Sequence, residues 1–483
     1  MFLIILLFLL SVYFFLINFS FLRNGLNGID IWKWIHYSLQ IKENNYKIPQ
    51  FMKGYLDIKP FNYPPLFLLI MSLLPKTIIE KRPYILIFIF FIIESFVVLW
   101  GLGFNGFQLF FGGAFILVIS YDRLNYFSTR PLASLIVTLI FFILNLEIQN
   151  SLIHYLLLFS AFALLFFSHR HSLQFLFFLL ITRTILFTND SIILLTFLST
   201  FLILMLLSKV YRRVFLNHYS ILTHYFEKIN IVSNSQLRYP FKFDWKRFLH
   251  SIIFSKLTYL LVIIYTIYLS NASLFNIQIF ALVFVIIYCF AKCFRLFSFL
   301  GEPERNFDYI LFPVMLSYQF FTDKVKIIFL CLAILMLVAR ILYNSFNKKN
   351  IYRKNFNTSK LDSVVLENFQ DKDSFNFMSY PALFDDYVNY KYKNSKVFFH
   401  DNGLSAKFSK IRYVPEFLGI ELKDEYIEEI VKEYNIDMLV IHDRFDKFIT
   451  PFLTASFAKV YMNEKIDYTI YVRKKESDTV FNN

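Results

Sequence analysis

The chain has 483 residues, 57% hydrophobic and 20% aromatic, with only 17% charged and 64 Phe. That apolar share excludes an ordinary soluble globular protein and points to a multi-pass membrane protein. The net charge of +14 is unevenly spread. Residues 1–360 hold 33 Lys+Arg against 14 Asp+Glu, and residues 361–483 hold 16 against 21, so the basic excess belongs to the membrane part, where it sets topology and attracts anionic lipid. No nucleic-acid signature is present. Cys289, Cys293 and Cys331 all fall within apolar runs and read as small packing residues.

In chain order, Phe2–Ser20 is apolar without a basic start or a small-residue cleavage site, and reads as a retained first span. A polar stretch, Asn24–Phe67, then interrupts the hydrophobic pattern. It carries Asp30, His36 and Asp57, and ends on Tyr63-Pro64-Pro65 at the start of the next apolar run. Carboxylates and an imidazole beside membrane spans are a functional-site signal, with an ordinary solvated loop as the alternative. Trp32, Trp34 and Tyr37 give the stretch the aromatic face of a helix lying in the membrane interface.

Ten further apolar runs follow Tyr63–Leu74: Tyr84–Trp100, Phe107–Ser120, Pro131–Leu146, Leu152–Phe167, Leu173–Phe187, Ile192–Leu207, Ile252–Leu269, Leu274–Ala291, Tyr309–Phe321 and Val325–Tyr343. With Phe2–Ser20 they make about twelve candidate transmembrane helices. The basic turn SHRHS, 168–172, reads as an orientation signal. Arg183, within a run, is either a snorkelling side chain or a cation buried in the bundle. The loop 209–250, with eight Lys+Arg, and the tract 344–360, with five Lys+Arg and no acid, read as cytoplasmic segments. The expected organisation is therefore an all-α polytopic membrane domain, residues 1–343, with its first loop at 21–62, a basic linker at 344–360, and a small soluble α/β domain at 361–483. In the last, 397–400, 438–442, 459–462 and 468–472 read as strands and 423–434 as an amphipathic helix.

Two groups of residues could carry chemistry. Asp30, with His36 and Asp57 nearby, could act as a general base or hold a divalent cation. Gly301-Glu302-Pro303-Glu304-Arg305 sets an arginine fork beside carboxylates, and Arg130 before Pro131 offers a second fork. Guanidinium groups suit phosphate, while a helix-initiating turn with an interfacial arginine is the structural alternative.

The first helix, the polar loop with its early Asp, the interfacial helix, the Tyr-Pro-Pro-Leu opening of the second run, the Ser128–Ala133 segment and the Gly-Glu-Pro-Glu-Arg segment together resemble the GT-C class of integral-membrane glycosyltransferases. The soluble α/β domain after the last helix is similar to their layout. The resemblance implies sugar transfer from a polyprenyl-phosphate donor to a lipid, glycan or protein acceptor, with inversion at the sugar carbon, at the non-cytoplasmic face of a prokaryotic cell membrane. It implies Asp30 as the catalytic base or metal-linked carboxylate. His36, Asp57, Tyr63, Arg130, Glu302 and Arg305 are then the candidates for binding substrate and lipid phosphate. A divalent cation, Mg or Mn, is the one cofactor it leaves open. A transporter or flippase for a lipid-linked glycan, and a surface-polysaccharide polymerase, are the alternative readings.

Topology tests this assignment. With Met1 cytoplasmic and every run crossing, the turns at 76–83, 168–172, 209–250 and 344–360 fall inside and Asp30 outside. Arg130, Arg305 and the C-terminal domain then lie in the cytoplasm. Either one short run, such as 107–120 or 173–187, does not cross and a shared site forms, or Arg130 and Arg305 are not in the site.

Overall fold

The computed structural model describes residues 29–56, 59–61, 63–120, 127–146, 148, 150–188, 191–216, 219, 243–269, 276–294, 297, 303–346, 358–370, 372–380, 384–398, 424–442, 451–463 and 468–474. The first element is helix α1 (Ile29–Glu43). Its aromatic residues are not laid in a lipid interface as expected. Trp34 and Tyr37 are buried, Trp34 meets Tyr63 with ring centroids 4.4 Å apart, and Trp32 stacks on Tyr390 at 5.5 Å. The face that reads as interface-seeking is covered by protein on both sides.

The run Tyr63–Leu74 decides the topology. Only Leu66–Leu73 (α2) is helical, and eight residues reach about 12 Å, well short of the roughly 30 Å of hydrocarbon. Pro75 cannot continue the helix, and the chain turns into α3 (Lys76–Lys81). Lys42 of α1 secures this turn, its Nζ donating to the carbonyls of Ser72 and Leu74 at 3.2 and 2.6 Å. Helix α4 (Tyr84–Gly101) then starts at the level where α2 started, since Phe67 and Tyr84 both pack on Phe127, at 5.7 and 5.3 Å. The Tyr63 run therefore folds back at one end of the bundle. Residues 107–120 and 173–187, named above as candidates for not crossing, are helical within α5 and α8 below.

From α4 onward the helices alternate in direction. Trp100, at the far end of α4, meets Phe142 near the end of α6 (Arg130–Asn145) at 6.2 Å, so these two helices run parallel and α5 (Gly106–Ile119) returns between them. A Cβ on Gly101 would lie 2.7 Å from the Phe142 ring, so this close approach of α4 and α6 depends on glycine. Helix α7 (Ser151–Phe166) comes back to the Tyr63 end, where Leu66 N donates to Phe167 O at 2.8 Å. Helix α8 (Arg170–Leu186) leaves again and α9 (Ser191–Leu207) returns. Lys209–Leu216 (α10) bends 105° away from α9. Four more helices complete the bundle: α11 (Ser255–Leu269), α12 (Ile277–Ala291), α13 (Leu311–Gln319) and α14 (Asp323–Phe346).

The chain is a membrane protein. Leu195, Leu202 and Leu206 on α9, and Ile328 and Leu335 on α14, are exposed on the outside of the bundle, which large aliphatic side chains in such numbers do stably only against lipid. Among the described residues, Tyr84–Gly101 is by itself long and apolar enough to cross a membrane, and the bent pair of α9 and α10 passes the same test jointly. Five further apolar helices have 10–17 residues. The described helices therefore do not amount to twelve full-length spans.

After α14 come α15 (Thr358–Phe369) and a five-stranded sheet in the order β4-β3-β5-β7-β6. Its strands are β3 (Phe375–Tyr380), β4 (Ser395–Val397), β5 (Met438–His442), β6 (Phe457–Asn463) and β7 (Tyr468–Arg473). Strands β4, β3 and β5 are parallel, and β5, β7 and β6 antiparallel. Strand β3 was not anticipated from the sequence, although Phe375 and Phe377 alternate with Asn376 and point into the core.

The connector after α1, which holds a short ribbon of β1 (Phe51–Met52) and β2 (Lys59–Pro60), pairs with the open edge of β4. Leu56 N donates to Val397 O and Val397 N to Gly54 O, each at 3.0 Å. Tyr55 Oη donates to Asp386 at 2.7 Å. The first loop and the C-terminal sheet thus stand at the same end of the bundle as Tyr63.

Candidate functional site

Four segments converge at the Tyr63 end: the Tyr63-Pro64-Pro65 turn, the start of α6, the turn between α7 and α8, and a 3-10 turn at Pro303–Tyr309. Tyr63 Oη lies 3.1 Å from Thr129 Oγ1, which places it beside Arg130. The Arg170 guanidinium sits over the Tyr63 ring, 5.5 Å from its centroid. Arg130 Nη1 reaches Asp308 Oδ2 at 3.4 Å, and Lys256 Nζ reaches Asp308 Oδ1 at 3.1 Å. Lys256 stands at a break in its helix, with φ −131° and ψ 21°, a local irregularity that lets a cation enter an apolar bundle.

Around Asp308 the turn is held by hydrogen bonds. Glu94, fully buried on α4, accepts from Ser134 at 2.6 Å and from Thr138 at 3.0 Å. Ser134 also bonds the backbone carbonyl of Asp308. Tyr309 Oη and His169 Nδ1 are 3.0 Å apart. His169 caps the start of α8 in the turn outside the helix. Burial holds its imidazole well below the usual histidine range, and the charges of Arg305, Arg130 and Arg170 add to this while Asp308 opposes it. Burial, and then the Asp308 carboxylate, push the Tyr309 phenol up, so it remains a protonated hydroxyl.

The structure therefore brings Tyr63, Arg130 and Arg305 to one place and adds Lys256, His169, Arg170, Asp308 and Tyr309, which the sequence reading had not assigned to a site. The turn 168–172, read above as an orientation signal, also contributes His169 and Arg170 to this place. A lone lysine in the run Ile252–Leu269 was a visible signal for Lys256, since a cation inside an apolar segment is costly without a function. His36 is otherwise engaged: its Nε2 is 2.7 Å from Gln40 Nε2, and Gln40 in turn bonds both the N–H and the carbonyl of Lys53. Those bonds tie α1 to its connector. Asp30 occupies the first turn of α1, but its side chain, like Asp57 and Glu302 altogether, lies outside the described residues.

Arg130, Arg170, Arg305 and Lys256 outnumber the carboxylates Asp308 and Glu304, and Asp308 already faces two of these cations. Such a donor set suits an anion. Among the described residues no three His, Cys, Asp or Glu side chains are grouped to hold a divalent cation; Asp57, Glu302 and the Asp30 side chain lie outside them.

No family model matches the sequence. No curated protein matches it either. Solved structures do. ArnT from Cupriavidus metallidurans, bound to undecaprenyl phosphate, aligns with a TM-score of 0.56 and 9% identity, over 97% of this chain and 98% of that one. The archaeal oligosaccharyltransferase AglB from Archaeoglobus fulgidus, in complex with an inhibitory peptide and a dolichol-phosphate, aligns with a TM-score of 0.50 and 12% identity, over 95% of this chain and 71% of that one. The chain has the fold of the GT-C glycosyltransferases. Because the alignment with ArnT spans nearly all of both chains, the shared fold takes in the C-terminal sheet as well as the bundle.

Proposed function

We propose that the chain is an integral-membrane glycosyltransferase. It moves a sugar from a polyprenyl-phosphate-linked donor to a hydroxyl or amide of a lipid, glycan or protein acceptor, at the non-cytoplasmic face of a prokaryotic cell membrane. The observation that carries this reading is the convergence of Arg130, Arg170 and Arg305 around Tyr63, at the end of a bundle whose fold is shared with two enzymes that hold polyprenyl phosphates.

In this reading the three arginines clamp the donor phosphate. Asp30 takes the proton from the acceptor as its oxygen or nitrogen attacks the sugar carbon. The bond from that carbon to the phosphate oxygen breaks, its electron pair leaves with the phosphate, and the configuration inverts. Charge stabilisation at the departing phosphate is the largest contribution the chain makes. Asp57 and Glu302 flank the site in sequence and are assigned to donor contact, with Tyr63 bracing Arg170. His36 becomes a positioning residue of the first loop. Residues 1–343 form the membrane domain, 344–360 the linker and 361–483 a domain that closes over the first loop.

The test is transfer by the purified chain from a panel of polyprenyl-phosphate sugars, with Asp30→Asn and Arg130→Gln alongside. Asp30→Asn should abolish transfer while leaving donor binding intact. Donor binding that is unaffected by Arg130→Gln would overturn the assignment of the phosphate site.

A further inference from the structure

The group with no role in the reaction just described is His169, an imidazole in the turn between α7 and α8 that is nonetheless inside the basic cluster. Among the described residues, these charged groups act on it, with Lys256 behind Asp308 at 3.1 Å. Arg305 and Asp308 come from the 3-10 turn, Arg130 from α6 and Arg170 from the start of its own helix, while the Tyr309 hydroxyl is at 3.0 Å and the His171 ring at 5.3 Å. Three cations against one carboxylate favour the neutral imidazole when the site holds no anion.

Burial is the first cause of the neutral imidazole and the arginines the second, and an anion placed among those arginines cancels their share. We propose that His169 takes up a proton when the lipid phosphate occupies the arginine cluster, and that this proton matches the negative charge the phosphate gains as the sugar leaves it. The inference rests on the glycosyltransferase reading. The charge balance follows from the reaction. The donor is a phosphodiester with one negative charge, the product is a monoester that gains a second, and the acceptor releases one proton. With that proton on Asp30 and then in solvent, and one taken from solvent by His169, atoms and charge balance.

The hydrogen bond to Tyr309 makes the uptake consequential. In the neutral tautomer whose hydrogen is on Nε2, Nδ1 is bare and the phenol is the donor. Once Nδ1 carries a proton it donates to the phenol oxygen, and the Tyr309 hydrogen is released to turn to another acceptor. Proton uptake at His169 therefore gives the cluster one more positive charge and one more hydrogen-bond donor from the time the phosphate binds, in place for the charge that develops as the sugar leaves.

Calorimetric titration of the full chain in detergent with a short prenyl sulfate ester, whose charge is fixed and which has no proton to exchange, isolates the protein's contribution. Comparing two buffers of different ionisation enthalpy at pH 7 gives the number of protons taken up. Net uptake should occur on binding, grow towards pH 6, and vanish in His169→Gln, whose amide keeps a hydrogen bond to Tyr309. Binding without uptake, or with equal uptake in His169→Gln, overturns the inference and leaves the phosphate site standing. No binding of the ester to the parent chain removes both. If His169→Gln does not fold, Tyr309→Phe serves, because it deprives the protonated Nδ1 of its acceptor. Uptake should then fall, and undiminished uptake would overturn the relay.

Discussion

Replacing Asp308 with Asn leaves Lys256 buried without its carboxylate. Both side chains of that pair are only 4% exposed and their charged atoms lie 3.1 Å apart, while the second partner, Arg130, is 16% exposed and can turn to water. Removing one member of a buried ion pair costs about 3–5 kcal/mol, because the remaining charge stays desolvated. The amide has the shape of the carboxylate it replaces, so the loss reports charge rather than packing. The check is a double-variant cycle. Asp308→Asn alone should lower the thermal midpoint in detergent by several degrees, and Lys256→Met combined with it should recover most of the loss, since an apolar side chain removes the uncompensated charge. A single variant as stable as the parent, or a double variant no better than the single one, would refute the claim that Lys256 is held by Asp308.

Three further outcomes are expected. Arg130→Gln should weaken binding of a short prenyl phosphate roughly ten- to hundredfold, the equivalent of a charged hydrogen bond of about 1.5–3 kcal/mol, and should flatten the salt dependence measured by titration. Glu94→Gln, which keeps an acceptor for Ser134 and Thr138, should be tolerated better in a thermal melt than Glu94→Leu, which strands the Thr138 hydroxyl at about 1–3 kcal/mol while Ser134 keeps the Asp308 carbonyl. His169 titrates below the usual histidine range in the fold and near 6.5 when unfolded, so the unfolded chain binds the extra proton first. Stability is accordingly lost as pH falls below about 6.5, and in unfolding measurements from pH 8 to 5.5 His169→Gln should lose less than the parent.

Most of the helices were legible because an apolar run announces itself in composition. Tyr84–Trp100 and Ile192–Leu207, for instance, match α4 and α9 nearly to the residue. What was not legible is whether a run crosses. Tyr63–Leu74 is as apolar as its neighbours, and its turning back is decided by Pro75 and by Lys42 reaching across from α1 to the carbonyls at 72 and 74, a contact between residues some thirty positions apart. That one local event changes the parity of every later helix. It moves Arg130 and Arg305 from the end opposite the first loop to the end beside it.

The site was half legible for a related reason. Arg130 and Arg305 stand out as cations at the ends of apolar runs, and Tyr63 as the residue before Pro-Pro. Asp308 and Tyr309 read as the start of the next helix, and only the 3-10 conformation of Pro303–Tyr309 turns them into the cluster. His169 and Arg170 look like a topological signal, because a basic turn is what such a signal consists of.

That double meaning bears on sidedness. In sequence, the connectors 102–105, 146–150, 187–190, 270–276 and 320–322 contain no Lys or Arg, while the loop 209–250 has eight. Taken alone, the positive-inside rule would turn the Tyr63 end towards the cytoplasm. Arg130 and Lys256, however, are held where they are by ion pairs with Asp308, and Arg170 by the Tyr63 ring, so they do not count as free topological charge. The remaining basic connectors would also draw anionic lipid, the donor included, to this end. Single-cysteine labelling separates the two directions. In a variant lacking Cys289, Cys293 and Cys331, a cysteine at exposed Lys81 marks the Tyr63 end and one at exposed Asn150 marks the far end. A non-cytoplasmic site requires that Lys81→Cys react with an impermeant maleimide on intact cells and that Asn150→Cys react only after permeabilisation. The opposite pattern would put sugar transfer on the cytoplasmic face, leave the arginine cluster intact as a phosphate site, and make the charge asymmetry of the connectors the better guide to topology than the fold.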